Sequence, residues 1–386
     1  MARRFFYGML TAMHPHRSRF KILLLSAGSH LGQNLLDVLE SRRHLVEVTG
    51  LNSEAENSQL FRCDQAYLMP QLNQREAFGD RLLALLEQHQ PDLILPGRDD
   101  DVVFLAEFRQ AHPAFAPMIP CGPAAVAHIA RDKFATWQWA QAQQLPFAES
   151  FVCSGSEQLD ALHAFVERVG FPLIAKPRKG FGSLGVYVAT HWPQVEKLSG
   201  IQDLVFQEYL DPPELQAASQ RYQSALPLFF EIPEDSHYTA QTLITPSGQL
   251  SEVFCSLSRM VRGRDEWYRR IRHAELEDLL KRYAAAFYQA GWVGPLNLQC
   301  KPDRQGQWKA YEVNLRFSGG TSCRLKLGYD EVGRLIRTFY PATDFPDHSL
   351  AEPVAGQIQR VLQDRLIPDR DLAQLQTAHC WSQTAL

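Results

Sequence analysis

Two stretches late in the chain place polar side chains at every second position, a pattern that tightly constrains the local fold. The stretch AYEVNLRFSGG, residues 310–320, alternates apolar and polar residues as a half-buried β-strand does. Side chains two residues apart share a strand face, so Glu312, Asn314 and Arg316 are expected to point to one side. The opposite side would carry Tyr311, Val313, Leu315 and Phe317.

The preceding stretch GPLNLQC has the same pattern, with Asn297 and Gln299 on one face. The link KPDRQGQW is rich in turn-forming residues, so the two strands are expected to form an antiparallel hairpin. Its polar face would bring oxygen ligands and an arginine together. Hard oxygen ligands suit Mg²⁺, and Mg²⁺ beside an arginine suits a polyphosphate. An ordinary half-exposed hairpin with a polar face is the alternative interpretation.

The composition bounds the class of protein. A chain of 386 residues is long enough for two or three domains with a large core. A net charge of -4 gives no support to nucleic-acid binding. Seven scattered cysteines without a CxxC pair argue against a disulfide framework or a zinc site, and favour a reducing, cytoplasmic setting. No apolar run approaches the ~20 residues that a membrane helix needs.

Residues 1–20 differ from the rest of the chain because they contain arginines and no acidic residue. Their short apolar patch lacks a convincing signal-peptide cleavage site. A basic extension, an early start codon and a transit-like leader are the open interpretations. An extension without a chemical role is the favoured one.

Residues 21–122 are expected to form an α/β domain. KILLLSAG, LVEVTGLN and PDLILPG are strand-like, whereas HLGQNLLDVLESR and REAFGDRLLALLEQH are helix-like. This βαβαβ order predicts a doubly wound parallel sheet. The turn SAGSHLG contains Gly28 and Gly32 but not the complete dinucleotide fingerprint, so a structural glycine turn is favoured over a nicotinamide site.

A second domain is expected over residues 123–345, beginning with a helix that runs to about Gln144. It contains the stretch FPLIAKPRKGFGSLGVYVAT, whose G-x-G-x-x-G pattern leads into a strand and not into a helix. That context excludes a Rossmann turn and predicts a flap, over residues 176–188, of backbone amides covering phosphates. Lys176 is expected to reach those phosphates. A plain hairpin with a solvated cluster of Lys176, Arg178 and Lys179 is the alternative.

The segments that follow carry weaker patterns. DLVFQEYL is a short apolar strand whose end either pairs with an adenine edge or simply belongs to the core. Residues 211–236 are irregular and predict a mobile insertion or lid. The next strands end in Arg259, Arg262 and Arg264, which either bind a carboxylate or an acyl phosphate or form a solvated basic face. Residues 346–386 are expected to form a closing segment and a tail.

The order of these motifs resembles the ATP-grasp superfamily. The motifs are the pair DK at 132–133, KP with its glycine loop, QEYL, N-x-Q and E-x-N-x-R. The likeness extends over about residues 21–368 and is to the branch of the carbamoyl-phosphate synthetase large subunit. It implies a doubly wound preATP-grasp domain followed by a two-lobed ATP-grasp domain of α+β type. It also implies ATP and Mg²⁺, or Mn²⁺, as cofactors.

The resemblance implies roles residue by residue. Lys133 and Lys176 match two phosphate-binding lysines, and Arg316 matches the arginine near the transferred phosphoryl group. The flap over the phosphates corresponds to Gly180, Gly182, Ser183 and Gly185. The adenine hinge corresponds to Gln207, Glu208, Tyr209 and Leu210. The magnesium ligands correspond to Gln299, Glu312 and Asn314. The expected catalytic set is Arg316, Lys176 and Arg262.

Two departures from the family pattern stand out. His237 occupies the position of an acid that often binds ribose, although it is still assigned to the ATP site. The segment between Leu210 and His237 is longer than expected, which would reshape the substrate side.

These motifs predict an ATP-dependent ligase that activates a small carboxylate as an acyl phosphate and joins it to an amine or thiol. The expected partners are small-molecule carboxylate and amine substrates, without nucleic acid or membrane, and a homodimer is an open alternative to a monomer. A non-catalytic, regulatory ATP-binding module of the same fold is the alternative function.

Overall fold

A computed structural model describes residues 19–153, 155–210, 234–261, 264–350 and 354–383. Residues 1–18 of the predicted extension, residues 211–233 of the predicted insertion, and Arg262 lie outside the described residues. The chain divides into two compact units, Met1–Gly97 with Arg365–Leu386, and Arg98–Asp364. The domain boundary expected at residues 122 and 123 stays a prediction, whereas the compact units divide between Gly97 and Arg98.

The strands of the described chain are, in order, β1 (Phe20–Leu24), β2 (Val46–Asn52), β3 (Gln65–Leu68), β4 (Leu93–Leu95), β5 (Ser150–Phe151), β6 (Leu173–Pro177), β7 (Tyr187–Ala189), β8 (Leu204–Glu208), β9 (Glu234–Ile244), β10 (Phe254–Val261), β11 (Arg264–Ile271), β12 (Gly294–Pro302), β13 (Trp308–Asn314), β14 (Ile358–Gln359) and β15 (Cys380–Ser382). The helices are α1 (His30–Glu40), α2 (Arg75–His89), α3 (Asp99–Ala111), α4 (Ala124–Arg131), α5 (Lys133–Ala142), α6 (Leu159–Val169), α7 (Trp192–Ser199), α8 (Ala274–Gln289), α9 (Thr321–Lys326), α10 (Glu331–Phe339) and α11 (Asp369–Ala378).

The first unit is organised around a five-stranded sheet of order β15-β3-β2-β1-β4. β1 pairs in parallel with β2 and with β4, and β2 pairs in parallel with β3, so the parallel sheet predicted from the βαβαβ pattern is confirmed. β15 adds an antiparallel edge strand from the C-terminal tail, which had no predicted role. The apolar runs of β1 and β4 are buried, as is usual for strands inside a parallel sheet.

The glycine turn after β1 is explained by packing. A Cβ at Gly28 would lie only 2.3 Å from Nδ2 of Asn57, and this amide donates to the carbonyl of Gly28 at 3.0 Å. The hydroxyl of Ser29 then accepts the backbone N–H of Gly32 at 2.9 Å and caps α1. The Asn57 side chain therefore occupies the space that a side chain at residue 28 would need.

The second unit contains a six-stranded sheet of order β13-β12-β9-β10-β11-β14. β12 and β13 pair antiparallel, so the predicted hairpin is confirmed. Helix α8 packs across β9, β10, β12 and β13. It does so through a buried stripe that includes Leu276, Leu280, Tyr283 and Phe287, the spacing of an amphipathic helix.

A four-stranded antiparallel sheet of order β5-β8-β6-β7 lies in the same unit. Its buried core includes Leu162 and Phe165 of α6, Val195 of α7 and Phe206 of β8. The glycine loop joins the antiparallel strands β6 and β7, which confirms that it leads from one strand into another.

The single helix predicted to run to about Gln144 is wrong, because the segment forms two helices separated at Asp132. Asp132 has extended backbone angles, and its carboxylate accepts the backbone N–H groups of Phe134 at 3.0 Å and Ala135 at 3.2 Å. An aspartate that satisfies these otherwise unpaired donors starts a new helix. Lys133 consequently becomes the first residue of α5.

Candidate active site

A cleft in the second unit is lined by residues from both of its sheets. It encloses about 720 Å³, a volume that includes space open to solvent. The predicted site residues that line it are Lys133, Lys176, Gly180, Gly182, Ser183, Gln207, Glu208, Tyr209, Leu210, His237, Gln299 and Glu312. The other lining residues are Ile174, Pro177, Phe181, Leu184, Val186, Met260, Lys301 and Tyr311.

Asp132 orients the first lysine of the cleft. Besides capping α5, its carboxylate receives Nε and Nη2 of Arg178 at 3.1 and 2.7 Å. This pair ties the start of α5 to the segment that follows β6, and the backbone N–H of Lys133 donates to the carbonyl of Arg178 at 3.1 Å. Nζ of Lys133 then donates to the carbonyl of Gly180 at 3.1 Å, so it lies directly beside the glycine loop.

The second lysine, Lys176, is placed by the end of β6. Its Nζ donates to the carbonyl of Tyr311 at 3.3 Å and lies 5.4 Å from the centre of the Tyr311 ring. The side chain is buried, at 6% exposure, so its charge is not screened as a surface lysine's would be. Two cations therefore face the cleft from the side of the glycine loop.

Glu312 is the carboxylate between these cations. Its Oε2 lies 3.9 Å from Nζ of Lys133. Burial by itself would raise the pKa of Glu312, but the charges of Lys133 and Lys176 outweigh burial and hold the pKa below its ordinary value. The side chain is therefore ionised at neutral pH, as a metal ligand must be.

The predicted metal ligands form a set of hard oxygen donors. Gln299 and Glu312 are register partners across β12 and β13, and Asn314 follows on the same face of β13. Nδ2 of Asn314 has no hydrogen-bond partner among the described residues, although the side chain is only 4% exposed. One carboxylate and two amide oxygens fit Mg²⁺ or Mn²⁺ better than softer metals. The described residues contain no group of three or more His, Cys, Asp or Glu that could hold a metal ion.

A row of amides extends this polar face across the sheet. Asn297 pairs in register with Asn314 on one side and with Gln241 of β9 on the other. Asn297 and Gln241 are both buried, and the side-chain amide of each has no hydrogen-bond partner within the described parts of the chain. Buried amides of this kind are usually satisfied by water or a ligand, so the row adds hydrogen-bonding capacity beside the predicted metal ligands.

The glycine loop takes backbone conformations that favour glycine. Gly182 and Gly185 have φ of 59° and 69°, and Ser183 between them has φ of 58°. At the tip, the side chains of Phe181 and Leu184 are 59% and 60% exposed. Two large apolar side chains are thus presented at the mouth of the cleft.

The strand end QEYL has a mixed environment. Gln207 is buried and its Nε2 donates to the hydroxyl of Ser150 at 3.1 Å. The carboxylate of Glu208 receives Nζ of Lys309 at 3.2 and 3.0 Å, so its side chain serves an ion pair with the neighbouring sheet. Tyr209 packs in a small apolar cluster with Ile174 and Val188. The apolar wall that Ile174, Tyr209 and Leu210 form in the cleft suits a flat aromatic base.

A β-bulge changes the predicted face of Tyr311. The register between β12 and β13 shifts after Gln299: Gln299 pairs with Glu312 and Cys300 pairs with Ala310, which leaves Tyr311 as the extra residue. A bulge re-aims the side chain of the extra residue. The prediction that Tyr311 faces away from Glu312 is therefore wrong, since both side chains line the cleft. The predicted strand is also too long, because β13 ends at Asn314 and does not reach Phe317.

Tyr311 also contacts His237, whose Nδ1 lies 2.8 Å from the tyrosine hydroxyl. Tyr311 and Lys301 both line the cleft, and the sequence predicts a site role for neither. Strand alternation after Gln299 was sufficient to find Lys301. No sequence signal locates the bulge that brings in Tyr311.

Arg316 lies in an ion pair outside the set of cleft-lining residues. Its Nε and Nη2 donate to the two carboxylate oxygens of Asp99 at 2.7 and 2.8 Å. Burial would raise the pKa of Asp99, but the charge and hydrogen bonds of Arg316 outweigh it and lower the pKa. Gly185 and Asn314 are likewise not among the lining residues. Arg259 faces Glu266 at 3.7 Å, and Arg264 is exposed.

No protein-family model and no curated protein matches the sequence. The fold is nevertheless similar to solved structures. N5-carboxyaminoimidazole ribonucleotide synthetase, solved with ADP, has a TM-score of 0.63 at 14% identity, covering 87% of this chain and 80% of that one. L-amino acid ligase from Bacillus licheniformis has a TM-score of 0.59 at 16% identity, covering 86% and 78%. Biotin carboxylase from Campylobacter jejuni has a TM-score of 0.60 at 16% identity, covering 87% and 73%.

These three proteins are ATP-grasp enzymes, and the chain has the ATP-grasp fold that its motifs predicted. The fold class is mixed α/β, with a parallel sheet in the first unit and antiparallel sheets in the second. At these identities the likeness establishes the fold alone. Across the described residues, no helix is both long and apolar enough to span a bilayer.

Proposed function

We propose that this chain is an ATP-dependent ligase that activates a small carboxylate as an acyl phosphate and joins it to an amine. The observation that carries the proposal is the convergence of Lys133, Lys176 and Glu312 on one cleft beside a glycine loop. Two buried cations and an ionised carboxylate suit a nucleoside triphosphate with its metal ion. The structural relatives solved with ADP or ATP point to the same ligand.

The nucleotide would enter with its base against the apolar wall of the cleft. Ile174, Val186 and Leu210 supply that wall, and Gln207 and Glu208 at the end of β8 also line the cleft. His237 and Tyr311 would lie towards the sugar, where an acid is usual in the family. The phosphates would extend to Lys133 and Lys176 under the glycine loop, whose glycines allow the backbone to approach closely.

The chemistry that this site supports is phosphoryl transfer followed by acyl transfer. A substrate carboxylate oxygen attacks the terminal phosphorus, and ADP leaves. The amine then attacks the acyl carbon, and inorganic phosphate leaves while the amine nitrogen loses a proton. The first step is needed because an unactivated carboxylate has no workable leaving group. The two lysines hold the phosphate chain and offset its charge, which is the main contribution a protein makes to this chemistry.

Gln299, Glu312 and Asn314 would hold the Mg²⁺ or Mn²⁺ ion, which supplies charge neutralisation and orientation of phosphate oxygens when bound. The glycine loop, with Phe181 and Leu184 at its tip, would cover the site and exclude water that otherwise hydrolyses an acyl phosphate. A thiol in place of the amine is compatible with the same residues. The reducing, cytoplasmic setting expected from the cysteines remains part of the proposal, as does a homodimer as an alternative to a monomer.

The proposal is tested by ADP release from the purified chain with MgATP and a panel of amino acids and other small carboxylates. Turnover is expected to depend on a particular carboxylate and on a nucleophile. Glu312→Gln keeps the shape of the side chain but removes its charge, and we expect it to reduce turnover by at least about a hundredfold. Chelation of the metal is expected to do the same.

The matched control is Glu275→Gln, a change of the same kind on the exposed first turn of α8. It is expected to leave turnover unchanged. Full activity in Glu312→Gln, with a melting temperature equal to that of the parent, would contradict the proposed metal site. Absence of substrate-dependent ADP release in the parent over the whole panel would contradict the ligase.

A regulatory ATP-binding module is the second candidate function. It is motivated by His237, which lines the cleft at the position where the family often has a ribose-binding acid. Calorimetry separates the two candidates. ATP binding without turnover over the whole panel supports the module, whereas turnover with any carboxylate supports the ligase.

A further inference from the structure

Asp99 and Arg316 form a shielded ion pair next to the candidate site. Nε and Nη2 of Arg316 donate to Oδ1 and Oδ2 of Asp99 at 2.7 and 2.8 Å. The side chains of Arg316 and Asp99 are only 15% and 18% exposed, so water competes little for their hydrogen bonds. A two-point pair of this kind determines the direction of the guanidinium as well as its charge.

The same guanidinium contacts a proposed metal ligand. Nη2 of Arg316 also donates to Oδ1 of Asn314 at 3.3 Å, and Nη1 donates to the carbonyl of Phe317 at 2.9 Å. All three nitrogens of Arg316 therefore have an acceptor. The orientation of the Asn314 amide depends on Arg316, and the orientation of Arg316 depends on Asp99.

Asp99 begins a run of three aspartates at the start of α3, and its neighbours have different partners. Oδ2 of Asp101 accepts the backbone N–H of Arg98 at 2.9 Å and closes the first turn of the helix. Asp100 forms a two-point pair with Arg131 at 2.6 and 3.2 Å. Successive residues of a helix point in different directions, so each of the three adjacent carboxylates can bind a different partner.

We propose that Asp99 is a positioning residue of the ligase site, which holds Arg316 against Asn314 and balances the guanidinium charge before phosphoryl transfer. This inference rests on the proposed function of the cleft. A guanidinium held by two hydrogen bonds is already oriented before the substrate binds, which favours correct alignment during phosphoryl transfer. Because its charge is partly balanced by Asp99, its attraction for a bound phosphate is weakened.

The inference predicts opposite effects on catalysis and on phosphate binding. Asp99→Asn keeps one acceptor for Arg316 but removes the balancing charge. We expect kcat to fall roughly ten- to a hundredfold, since small misplacements of site groups have effects of this size. At the same time, the affinity for inorganic phosphate in the presence of MgADP should rise by about three- to tenfold, because the freed guanidinium attracts the anion more strongly.

The matched control is Asp100→Asn, which also removes a charge from a two-point pair with an arginine on the same turn of α3. It is expected to leave kcat and phosphate affinity unchanged. Asp99→Glu keeps the charge and should recover most of the phosphate affinity of the parent. In the double variant Asp99→Asn with Arg316→Met, the tightening of phosphate binding should disappear.

Two outcomes overturn the inference. One is a normal kcat and normal phosphate affinity in Asp99→Asn. The other is a fall in the melting temperature of Asp99→Asn with no rise in phosphate affinity, which would show a structural role alone. Phosphate binding is measured by calorimetry and needs no turnover. If the ligase proposal fails, the parent protein releases no ADP in the presence of substrates. If this inference fails, the phosphate affinities of the parent and Asp99→Asn do not differ as expected.

Discussion

The hydroxyl of Tyr311 and Nδ1 of His237 lie 2.8 Å apart in the wall of the candidate nucleotide site. The same tyrosine accepts Nζ of Lys176 with its backbone carbonyl at 3.3 Å. Tyr311 thus joins a proposed phosphate-binding lysine to the histidine that stands at the expected ribose position. A β-bulge in β13 makes both contacts available to one residue.

Removing only the hydroxyl tests this link. Tyr311→Phe keeps the ring under Lys176 and the backbone carbonyl but frees His237. We expect ATP affinity, measured by calorimetry, to fall roughly three- to tenfold, the effect of one buried hydrogen bond. Tyr340→Phe is the control, because it likewise removes a hydrogen-bonded hydroxyl, which donates to the carbonyl of Pro117 at 2.9 Å, from a residue that does not line the cleft. Equal affinities in the two variants would contradict the link.

The charge of Lys176 should matter more than its bulk. Lys176→Met retains most of the apolar stem and removes the ammonium group, so we expect at least about a tenfold loss of ATP affinity with adenosine affinity less affected. Lys326→Met at an exposed position of α9 provides the comparison and should bind ATP normally. A uniform loss for ATP and adenosine would show that the lysine does not act on the phosphate chain.

The ion pair of Asp132 with Arg178 should make the free energy of unfolding depend on pH, with a loss of stability in acid. Burial raises the pKa of Asp132, but the hydrogen bond from Arg178 and those from the backbone outweigh it, so the pKa in the folded chain is lowered. A carboxyl with a lowered pKa in the folded state stabilises the fold above its unfolded pKa, about 3.9, and that contribution is lost as the pH falls through the folded value.

Asp132→Asn isolates this charge because asparagine also caps helices. We expect the free energy of unfolding by urea to fall by about 1–3 kcal/mol at pH 7, as for a hydrogen bond to a charged partner. The difference from the parent should shrink in acid. Asp278→Asn, at an exposed position of α8, should show no such difference. A difference that stays constant from neutral to acid pH would refute the assignment.

Arg324 should be a major determinant of stability. It is completely buried, and its guanidinium donates to Glu331, Tyr268, Ser318 and Thr321 at 2.6–3.2 Å. Arg324→Met leaves the buried Glu331 carboxylate without its cation, so we expect the free energy of unfolding to fall by about 3–5 kcal/mol. Arg337→Met breaks an exposed pair with Asp347 and should cost less than about 1 kcal/mol. Similar losses in both variants would contradict this account.

Several features of the fold were predictable because they are encoded locally. Period-two alternation and the turn residues of KPDRQGQW were sufficient for the hairpin of β12 and β13, since strand faces and turns depend on neighbouring residues. The glycine loop between β6 and β7 was predicted for the same reason. The helix break at Asp132 is not predicted, because an aspartate inside an apolar pattern caps a helix only when its carboxylate accepts the backbone N–H groups two and three residues further on.

The sequence by itself determined the order of the motifs, the strand faces of Gln299 and Glu312, and therefore the class of fold. Tertiary structure alone decided that Tyr311 enters the cleft and that Arg316 is held by Asp99. The bulge depends on how β12 and β13 shift in register against each other, and no residue in the sequence indicates that shift. Asp99 and Arg316 are 217 positions apart in the chain, and only tertiary folding, which brings the start of α3 beside the segment after β13, could bring their charges within hydrogen-bond distance.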